Sequence, residues 1–538
     1  MQDSAQPVAP EEILDSWKDI ARYLNRDVRT IQRWERSKHL PVHRLPGGVK
    51  PGVFALKSEV DSWRKSSPLD GADPQPAGPH ALAPSVAVLP FVNLTGGRED
   101  QYFGDGLADE IITALSQIPS LRVTARTSSF RFRGHGHDVR DIGGRLGVRS
   151  ILTGTVRRSG VRIRVSAQLV DAANGFHLWS EHFDREGADV FEIQDEISTS
   201  IARLMAVRLA PPSASRRTSS LEAYHAWLKG RYFQQYESAQ AITRCREAYE
   251  QAIALDPSFP HPYLGIAEWY RGFAHYGIMC PRQAGTQGWA AIRKALQLDD
   301  SIAEAYALSA TYRAWMDFDW TGADADFQRA LSLNPASAEI CWLKATMFLL
   351  PLNRLDEAIA LMERVISLDP LSPLMHSHFA WILSFHRDFE RALRETATAL
   401  ALSPNHAVAF AIRGSVFYHC GRMEEGVACW RAAVEGFGRS SIALGALGYG
   451  LARLGRMDES NALLAEIDTA EREGAYVTPI SRAWIYVGTR DFENAFHYLN
   501  RALDDREPHL LHLPCKEIYD PMRQDPRFAA LLARMRLA

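Results

Sequence analysis

Apolar residues recur at helical spacing near the start of the chain, and short polar stretches divide them. Ser16, with Asp19 three residues later, precedes apolar positions at 20, 21 and 24. A hydroxyl followed three residues on by an acid is typical of a helix N-terminus, because both side chains can bond free backbone groups there. The pattern therefore predicts an amphipathic helix that begins after Ser16 and ends at the polar run 25–27.

A second apolar stripe follows at Val28, Ile31 and Trp34, at a spacing of three residues. That spacing places the three side chains on one face of a second short helix. The other face carries polar and basic residues, namely Arg29, Thr30, Gln32, Arg33 and Arg36. Two close helices, the second with a basic polar face, are typical of a helix-turn-helix that enters the DNA major groove. We expect base-edge contacts from Arg29, Thr30 and Arg33.

Apolar runs at residues 42–45 and 53–56 flank residues 46–52, which are rich in proline and glycine. Such an arrangement predicts a β-hairpin, or wing. A last short helix is predicted from Ser58 through Val60 and Trp63. We expect Trp34 and Trp63 to lie in the core, because both fall on apolar stripes. Phosphate contacts, which position a protein on DNA, are expected from Lys38, His43, Arg44 and Lys50.

Charge sets this segment apart from the rest of the chain. Residues 16–65 hold twelve Lys and Arg against five Asp and Glu, a net charge of +7, whereas the whole chain carries −3. A basic segment of this kind attracts the phosphate backbone of nucleic acid. The T-I-Q-R-W core and the HLPVHRL run resemble the winged helix-turn-helix domains of the MerR and excisionase type, which implies double-stranded DNA as the partner. The alternative is a small module whose arginines form a solvated face and which binds protein.

Two segments rich in proline and serine, residues 66–84 and 211–220, predict linkers. The region between them, residues 85–210, alternates between strand and helix patterns and predicts an α/β domain. Its expected strands are residues 86–91 and 121–125, with a hairpin of residues 151–158 and 161–170, and its expected helices are residues 105–118, 139–146 and 191–209.

The order of these segments, from SVAVLPF through DEIITALSQIPSLRV to GFHLWSEHFDR, resembles the α/β domain of TolB and FlgO. A solvated first helical turn explains the acids Asp105, Asp109 and Glu110, since acids complement the helix dipole there. His135 and His137 lie in a glycine-rich loop without further obvious ligands. The sequence therefore predicts no catalytic, cofactor or metal site.

The C-terminal half repeats itself at a step of 34 or 35 residues. A bulky residue recurs at Trp320, Leu355, Phe389, Met423, Met457 and Phe492, and a small residue follows three positions later at Ala323, Ala358, Ala392, Gly426, Ser460 and Ala495. This pair resembles the tetratricopeptide (TPR) signature, in which the small residue lets two helices approach closely. We expect a superhelix of about eight helical hairpins over residues 221–505, with a partner protein or peptide on its concave face. Residues 506–538 are expected to form a loop, which holds His509, His512 and Cys515, and a capping helix.

The cysteine content and the length of the apolar runs indicate the cellular compartment. Six cysteines are scattered without paired spacing, which is typical of a reducing environment. The longest apolar runs fall far short of the ~20 residues that span a membrane, and the first residues lack the pattern of a signal peptide. We therefore expect a cytoplasmic protein that does not insert in a membrane.

The sequence as a whole predicts a multidomain protein with a winged helix-turn-helix head at residues 10–65, an α/β middle domain and an all-α TPR superhelix. The expected function is a DNA-binding transcriptional regulator, and its plan resembles the CadC-type regulators. Related chains carry a nucleotide cyclase domain at the head, for which this chain has no room, so we expect it not to be an enzyme. The alternatives are a scaffold whose head binds protein, and an enzyme with a site in residues 85–210. The pattern leaves the oligomeric state open.

Overall fold

The computed structural model describes residues 13–14, 16–24, 28, 31–32, 34–35, 40–44, 53–66, 84–95, 98–134, 137–159, 162–186, 190–205, 218–234 and 239–537. The chain divides into two compact units, Met1–Leu82 and Ala83–Ala538.

The first unit combines short helices with a small antiparallel sheet. Its elements are β1 (Ile13–Leu14), α1 (Trp17–Tyr23), β2 (His43–Arg44), β3 (Val53–Leu56) and α2 (Lys57–Ser66), and the strand order is β1-β3-β2. The predicted start of the first helix is confirmed, because the Asp19 backbone N–H donates to Ser16 Oγ at 3.2 Å. The predicted core positions are also confirmed: Trp34 and Trp63 are 5% and 8% exposed, and their rings lie 5.7 Å apart.

The second unit begins with a mixed sheet that helices cover. The strands are β4 (Ser85–Val88), β5 (Val92–Asn93), β6 (Arg122–Val123), β7 (Ser150–Ser159), β8 (Arg162–Asp171) and β9 (His177–Glu186). Strand β4 pairs in parallel with β6 and β7, whereas β7, β8 and β9 form an antiparallel meander. The helices are α3 (Arg98–Ser116), α4 (Arg126–Ser129), α5 (Val139–Leu146) and α6 (Val190–Leu204), with a 3₁₀ turn at Phe130–Phe132.

Three details of this α/β region differ from the sequence prediction. Helix α3 begins at Arg98 rather than 105, and α6 ends at Leu204 rather than 209. Strand β9 was not predicted, because Leu178 on it is exposed, as is Phe176 just before it, and the strand has no clean alternation of buried and exposed positions. The predicted hairpin is confirmed, with Ser150 to Ser159 paired against Asp171 to Arg162.

Between Leu221 and Asp504 the described residues form eight consecutive helical hairpins. They are α7 (Leu221–Gln234) with α8 (Ala239–Leu255), α9 (His261–His275) with α10 (Pro281–Leu298), α11 (Ala303–Tyr312) with α12 (Trp320–Leu333), α13 (Ala338–Lys344) with α14 (Leu355–Leu368), α15 (Pro373–Phe385) with α16 (Phe389–Leu402), α17 (Ala407–His419) with α18 (Met423–Gly436), α19 (Ser441–Arg453) with α20 (Met457–Arg472), and α21 (Pro479–Thr489) with α22 (Phe492–Asp504). Helices α11 and α13 continue in π-helical segments, Arg313–Asp317 and Ala345–Leu349.

The small repeat positions lie where the two helices of a hairpin meet. Ala323, Ala358, Ala392 and Ala495 have no exposed surface. At Gly426 a Cβ atom would lie 2.8 Å from the carbonyl oxygen of Gly414, which is closer than real Cβ contacts. The repeat register read from the sequence is therefore confirmed at these crossings.

The end of the chain departs from the predicted single capping helix over residues 520–537. Two 3₁₀ segments, Pro508–His512 and Glu517–Met522, precede a shorter helix α23 (Pro526–Arg534). Prolines at 514 and 521 remove backbone donors, so no continuous α-helix can form before Pro526, which takes the first helical position. None of the helices in the described part of the chain is both long enough and apolar enough to cross a membrane.

Candidate functional site

Three of the residues predicted to contact DNA fall within the described part of the first unit. Gln32 is half-buried, and His43 and Arg44 lie exposed on β2. His43 Nε2 lies 2.5 Å from Glu59 Oε2, and Arg44 lies 2.6 Å from Glu35 Oε1. Exposed ion pairs contribute only about 0–1 kcal/mol, so a phosphate can compete for these side chains. The other predicted contacts lie outside the described residues: Arg29, Thr30, Arg33, Arg36, Lys38 and Lys50.

A cluster of charges is buried where α3 meets the first hairpin. Asp105 and Asp109 are 3% and 6% exposed. Asp105 accepts two hydrogen bonds from Arg133, at 2.8 and 2.7 Å, and Asp109 pairs with Arg231 and lies 3.8 Å from Arg126 Nε. Burial raises the pKa of Asp105, and the hydrogen bonds from Arg133 oppose that rise. The cluster joins the α/β region to the superhelix through charge pairs.

The prediction that these acids belong to a solvated helical turn is wrong. Because α3 begins seven residues earlier than predicted, Asp105 and Asp109 lie in the middle of the helix, on its buried side. The helix also approaches α7 closely at Gly106, where a Cβ atom would lie 2.3 Å from Leu228 Cδ2. The sequence offered one signal of this contact, a glycine between two acids within an otherwise regular apolar helix pattern.

The α/β region and the first hairpin share one hydrophobic core. Leu107 and Ile111 of α3 pack in the same cluster as Tyr224 and Trp227 of α7. The linker predicted between them, residues 211–220, therefore does not separate two independent cores.

A second contact joins the α/β region to the fourth and fifth hairpins. Ser128 Oγ donates to Asp369 Oδ1, and the Leu371 backbone N–H donates to Ser128 Oγ at 2.8 Å. Arg131 donates to the carbonyl of Leu402 at 2.6 Å. Burial raises the pKa of Asp369 to about 6, while the Ser128 hydrogen bonds act in the opposite direction.

Residues 506–522, here called the inner segment, contact the superhelix over most of its length. Five residues of the inner segment touch the first helix, or its π-helical continuation, of five different hairpins: Arg506 with Trp315, His509 with His275, His512 with Trp381, Glu517 with His419, and Lys516 with Trp484. One short segment can reach hairpins so far apart only if the row of hairpins curves around it. The inner segment thus covers the concave side of these hairpins.

The residues His509, His512 and Cys515, expected to be ordinary loop residues, lie in this packed segment. His512 is 2% exposed and Cys515 is 9% exposed. The described residues hold no group of three or more His, Cys, Asp and Glu side chains arranged to bind a metal ion.

Comparison with known families defines the class of two regions. Residues 82–200 match the family described as HilA/YgeH-like transcriptional regulator, second domain. Residues 319–373 match the tetratricopeptide repeat. The chain therefore carries a HilA-like regulator domain followed by TPR repeats, which confirms the predicted repeats. The resemblances to TolB and FlgO and to MerR-type heads stay predictions.

Individual relatives cover only part of this chain. "Putative adenylate cyclase 3" of Rhizobium meliloti (strain 1021) is 33% identical over 280 residues, 51% of this chain and 47% of that protein. "Transcriptional regulator HilA" of Salmonella typhimurium (strain LT2) is 21% identical over 323 residues, 59% of this chain and 57% of that protein. The chain thus spans about half the length of these curated relatives. Among solved structures, PilW, described as a type IV pilus biogenesis factor, is 20% identical with a TM-score of 0.32 and covers 39% of this chain and 92% of its own.

The match to the Rhizobium protein corrects one prediction. We expected from the sequence that the chain is not an enzyme, but a protein named as an adenylate cyclase is 33% identical to it over half of its length. The prediction of a non-enzyme is contradicted by this relative.

Proposed function

We propose that this protein is a DNA-binding transcriptional regulator whose superhelix binds a protein or peptide partner. The observation that carries the proposal is the HilA-like regulator domain at residues 82–200, which lies directly after a basic segment with a helix-turn-helix pattern. The net charge of +7 over residues 16–65 supports binding to a polyanion. The TPR repeats support a partner protein, because stacked helical hairpins present extended binding surfaces.

In this proposal the head contacts DNA with two sets of residues. The polar face opposite Ile31 and Trp34 would enter the major groove and contact base edges through Arg29, Thr30, Gln32, Arg33 and Arg36. The strand that carries His43 and Arg44, with Lys38 and Lys50 beside it in sequence, would contact phosphates.

The partner of the superhelix must reach a surface that the chain itself leaves open. The inner segment covers the concave side at five hairpins, so a peptide could bind there only after it displaces that segment. A partner on the outer, second helices of the hairpins needs no such displacement.

Sites selected from genomic DNA by the full chain, followed by binding isotherms, test the regulator proposal. Arg33→Ala should weaken binding to a selected site by about 1–3 kcal/mol and relax its sequence preference. Arg22→Ala is the matched control, since Arg22 is exposed on α1 and pairs with Asp19 at 3.2 Å. Equal losses in the two variants would remove Arg33 from base recognition, and absence of selected DNA would favour a scaffold that binds only protein.

The Rhizobium relative supports a second candidate function, nucleotide cyclisation. The test is formation of cyclic AMP from ATP by the full chain in the presence of Mg²⁺ or Mn²⁺, with heat-denatured protein as the control. Product formed at a rate proportional to protein concentration would establish this activity. A rate equal to that of the denatured control would count against this second candidate.

A further inference from the structure

Basic side chains converge inside the superhelix, from hairpins that are distant in sequence. Each of them contacts another member of the group or a tryptophan beside it. The described contacts are His275 with His509 at 4.7 Å between ring centroids, His378 Nδ1 with Trp342 Nε1 at 2.8 Å, His512 with Trp381 at 4.3 Å, Lys516 Nζ with the Trp484 ring at 3.6 Å, and Arg271 over the Trp342 ring at 5.5 Å.

These contacts form one connected group. Trp381 lies 6.0 Å from His378 and also packs on His512, while Trp484 lies 6.0 Å from His509 and also packs on Lys516. His509 and His512 belong to the same 3₁₀ segment, so they link the contacts around Trp381 to those around Trp484. We call the six basic side chains the inner basic cluster: Arg271, His275, His378, His509, His512 and Lys516.

Four side chains of the cluster are partly accessible, although protein surrounds them: His275, His378, His509 and Lys516. Burial lowers the pKa of His378 to about 3, of His509 to about 4 and of Lys516 to about 7. These side chains are therefore surrounded by protein more than by bulk solvent, which disfavours their charged forms.

Glu339 on α13 is likewise accessible and yet desolvated. Its side chain is exposed, but burial raises its pKa to about 7, and Glu268 and Glu304 raise it further. The charged and titratable groups on this side of the hairpins include Arg231 from α7, Glu268, Arg271 and His275 from α9, Glu304 from α11, Glu339 from α13, His378 from α15, His419 from α17, and His509, His512, Lys516 and Glu517 from the inner segment.

Among the ion pairs of the described residues, a carboxylate neutralises one member of the cluster. Glu268 pairs with Arg271, and Glu517 lies 3.3 Å from His419. The lowered pKa values of His275 and His512 are due first to burial and then to their basic neighbours. In addition, no hydrogen bond of good geometry reaches the buried His512 Nε2 among the described residues, although the ring lies near the backbone of Thr346. A buried polar atom without a partner is uncommon in folded proteins and favours a polar ligand atom beside it.

We propose that the inner basic cluster is a binding site for a small anion that carries a carboxylate or phosphate group. The ligand would accept hydrogen bonds from Lys516 and from the histidines, and Trp342, Trp381 and Trp484 would wall the site. Three of its six basic residues belong to the inner segment, so a bound anion would hold that segment on the concave side. The proposal does not depend on DNA binding.

The first test uses the full chain and simple probes. Thermal unfolding is measured in sodium phosphate and in sodium citrate, each against sodium chloride at equal ionic strength. We expect a higher unfolding midpoint in at least one probe, because a ligand that binds only the folded state stabilises it. The two arms distinguish phosphate from carboxylate recognition. Midpoints equal to those in chloride for both probes would overturn the proposal.

The second test counts protons. An anion beside desolvated bases raises their pKa, so binding should take up protons from the buffer. Calorimetric titration of the stabilising probe in two buffers of different ionisation enthalpy measures this uptake on the unmodified protein. Binding without net proton uptake would place the anion elsewhere and overturn the assignment.

The third test uses variants. Lys516→Gln should weaken binding of the probe by about tenfold or more, because it removes a charge-assisted hydrogen bond. Lys294→Gln, on the exposed face of α10, is the matched control. If Lys516→Gln does not fold, His275→Gln, on α9, replaces it as the variant that should weaken binding of the probe. Affinity equal to that of the control in a folded variant would contradict the site.

Discussion

At the scale of single residues, buried aspartates join the α/β region to the superhelix. Asp109 lies beside Arg231 and Arg126, and Asp369 accepts a hydrogen bond from the Ser128 hydroxyl. Neither role could be predicted from the sequence, because both depend on contacts between residues more than one hundred positions apart. The helical pattern alone placed Asp109 on a solvated turn.

Asp109→Ala should destabilise the second unit. Removal of the carboxylate leaves two guanidinium groups without their partner, a change that costs about 3–5 kcal/mol when the site is fully buried. Arg231 keeps about a third of its side chain exposed, so we expect a loss nearer 2–3 kcal/mol. Urea unfolding of the full chain measures it. Asp184→Ala, which breaks an exposed pair with Arg164, is the control and should destabilise the protein much less than Asp109→Ala.

Asp369→Asn should remove part of the pH dependence of stability. The folded-state pKa of Asp369 is about 6, above the ordinary value of 3.8, so folding favours the protonated form. Its contribution is therefore fully present below about pH 4 and is lost as the pH rises through 6, by roughly 2–3 kcal/mol. The asparagine should make the protein more stable than the parent at pH 7.5 and no more stable at pH 4. Urea midpoints of parent and variant at the two pH values measure this change. An equal difference between parent and variant at both pH values would contradict the assignment. Asp458→Asn, on the exposed face of α20, is the control.

At the scale of elements, the sequence predicted most where the pattern is local and repeated. The step of 34 residues located the helix crossings, since each hairpin contacts mainly its neighbours. Strand β9 and the inner segment were not predicted. The strand has an exposed apolar residue near its start, Leu178, and the inner segment obtains its partners from five hairpins rather than from adjacent residues.

Ala358→Trp should disrupt the fourth hairpin. Ala358 has no exposed surface where α14 crosses α13, and overpacking of such a contact typically costs about 1–3 kcal/mol. The melting transition of the full chain, followed by circular dichroism, should move to lower temperature and broaden, because neighbouring repeats are coupled. Ala360→Trp is the control, since Ala360 is exposed on the same helix. Identical melts for the two variants would contradict the repeat register.

At the scale of the whole molecule, the chain combines a basic first unit with a second unit in which α/β region and superhelix share contacts at two places. The classes of these regions follow from sequence patterns and family matches. The contacts between these regions do not follow from the sequence, because the shared core and the inner basic cluster form only once the hairpins curve. The inner basic cluster comes from two hairpins and the end of the chain, a grouping that no spacing in the sequence indicates.

The salt dependence of DNA binding tests the central claim most directly. Anisotropy of a labelled duplex that carries a selected site is measured with the full chain at several salt concentrations. We predict that log K falls linearly with log[salt], because bound Lys and Arg release counterions from phosphate. Lys50→Ala should weaken binding to all sequences alike and reduce the slope by about 1. A folded full chain that binds no duplex even at low salt would contradict the assignment of this protein as a DNA-binding regulator.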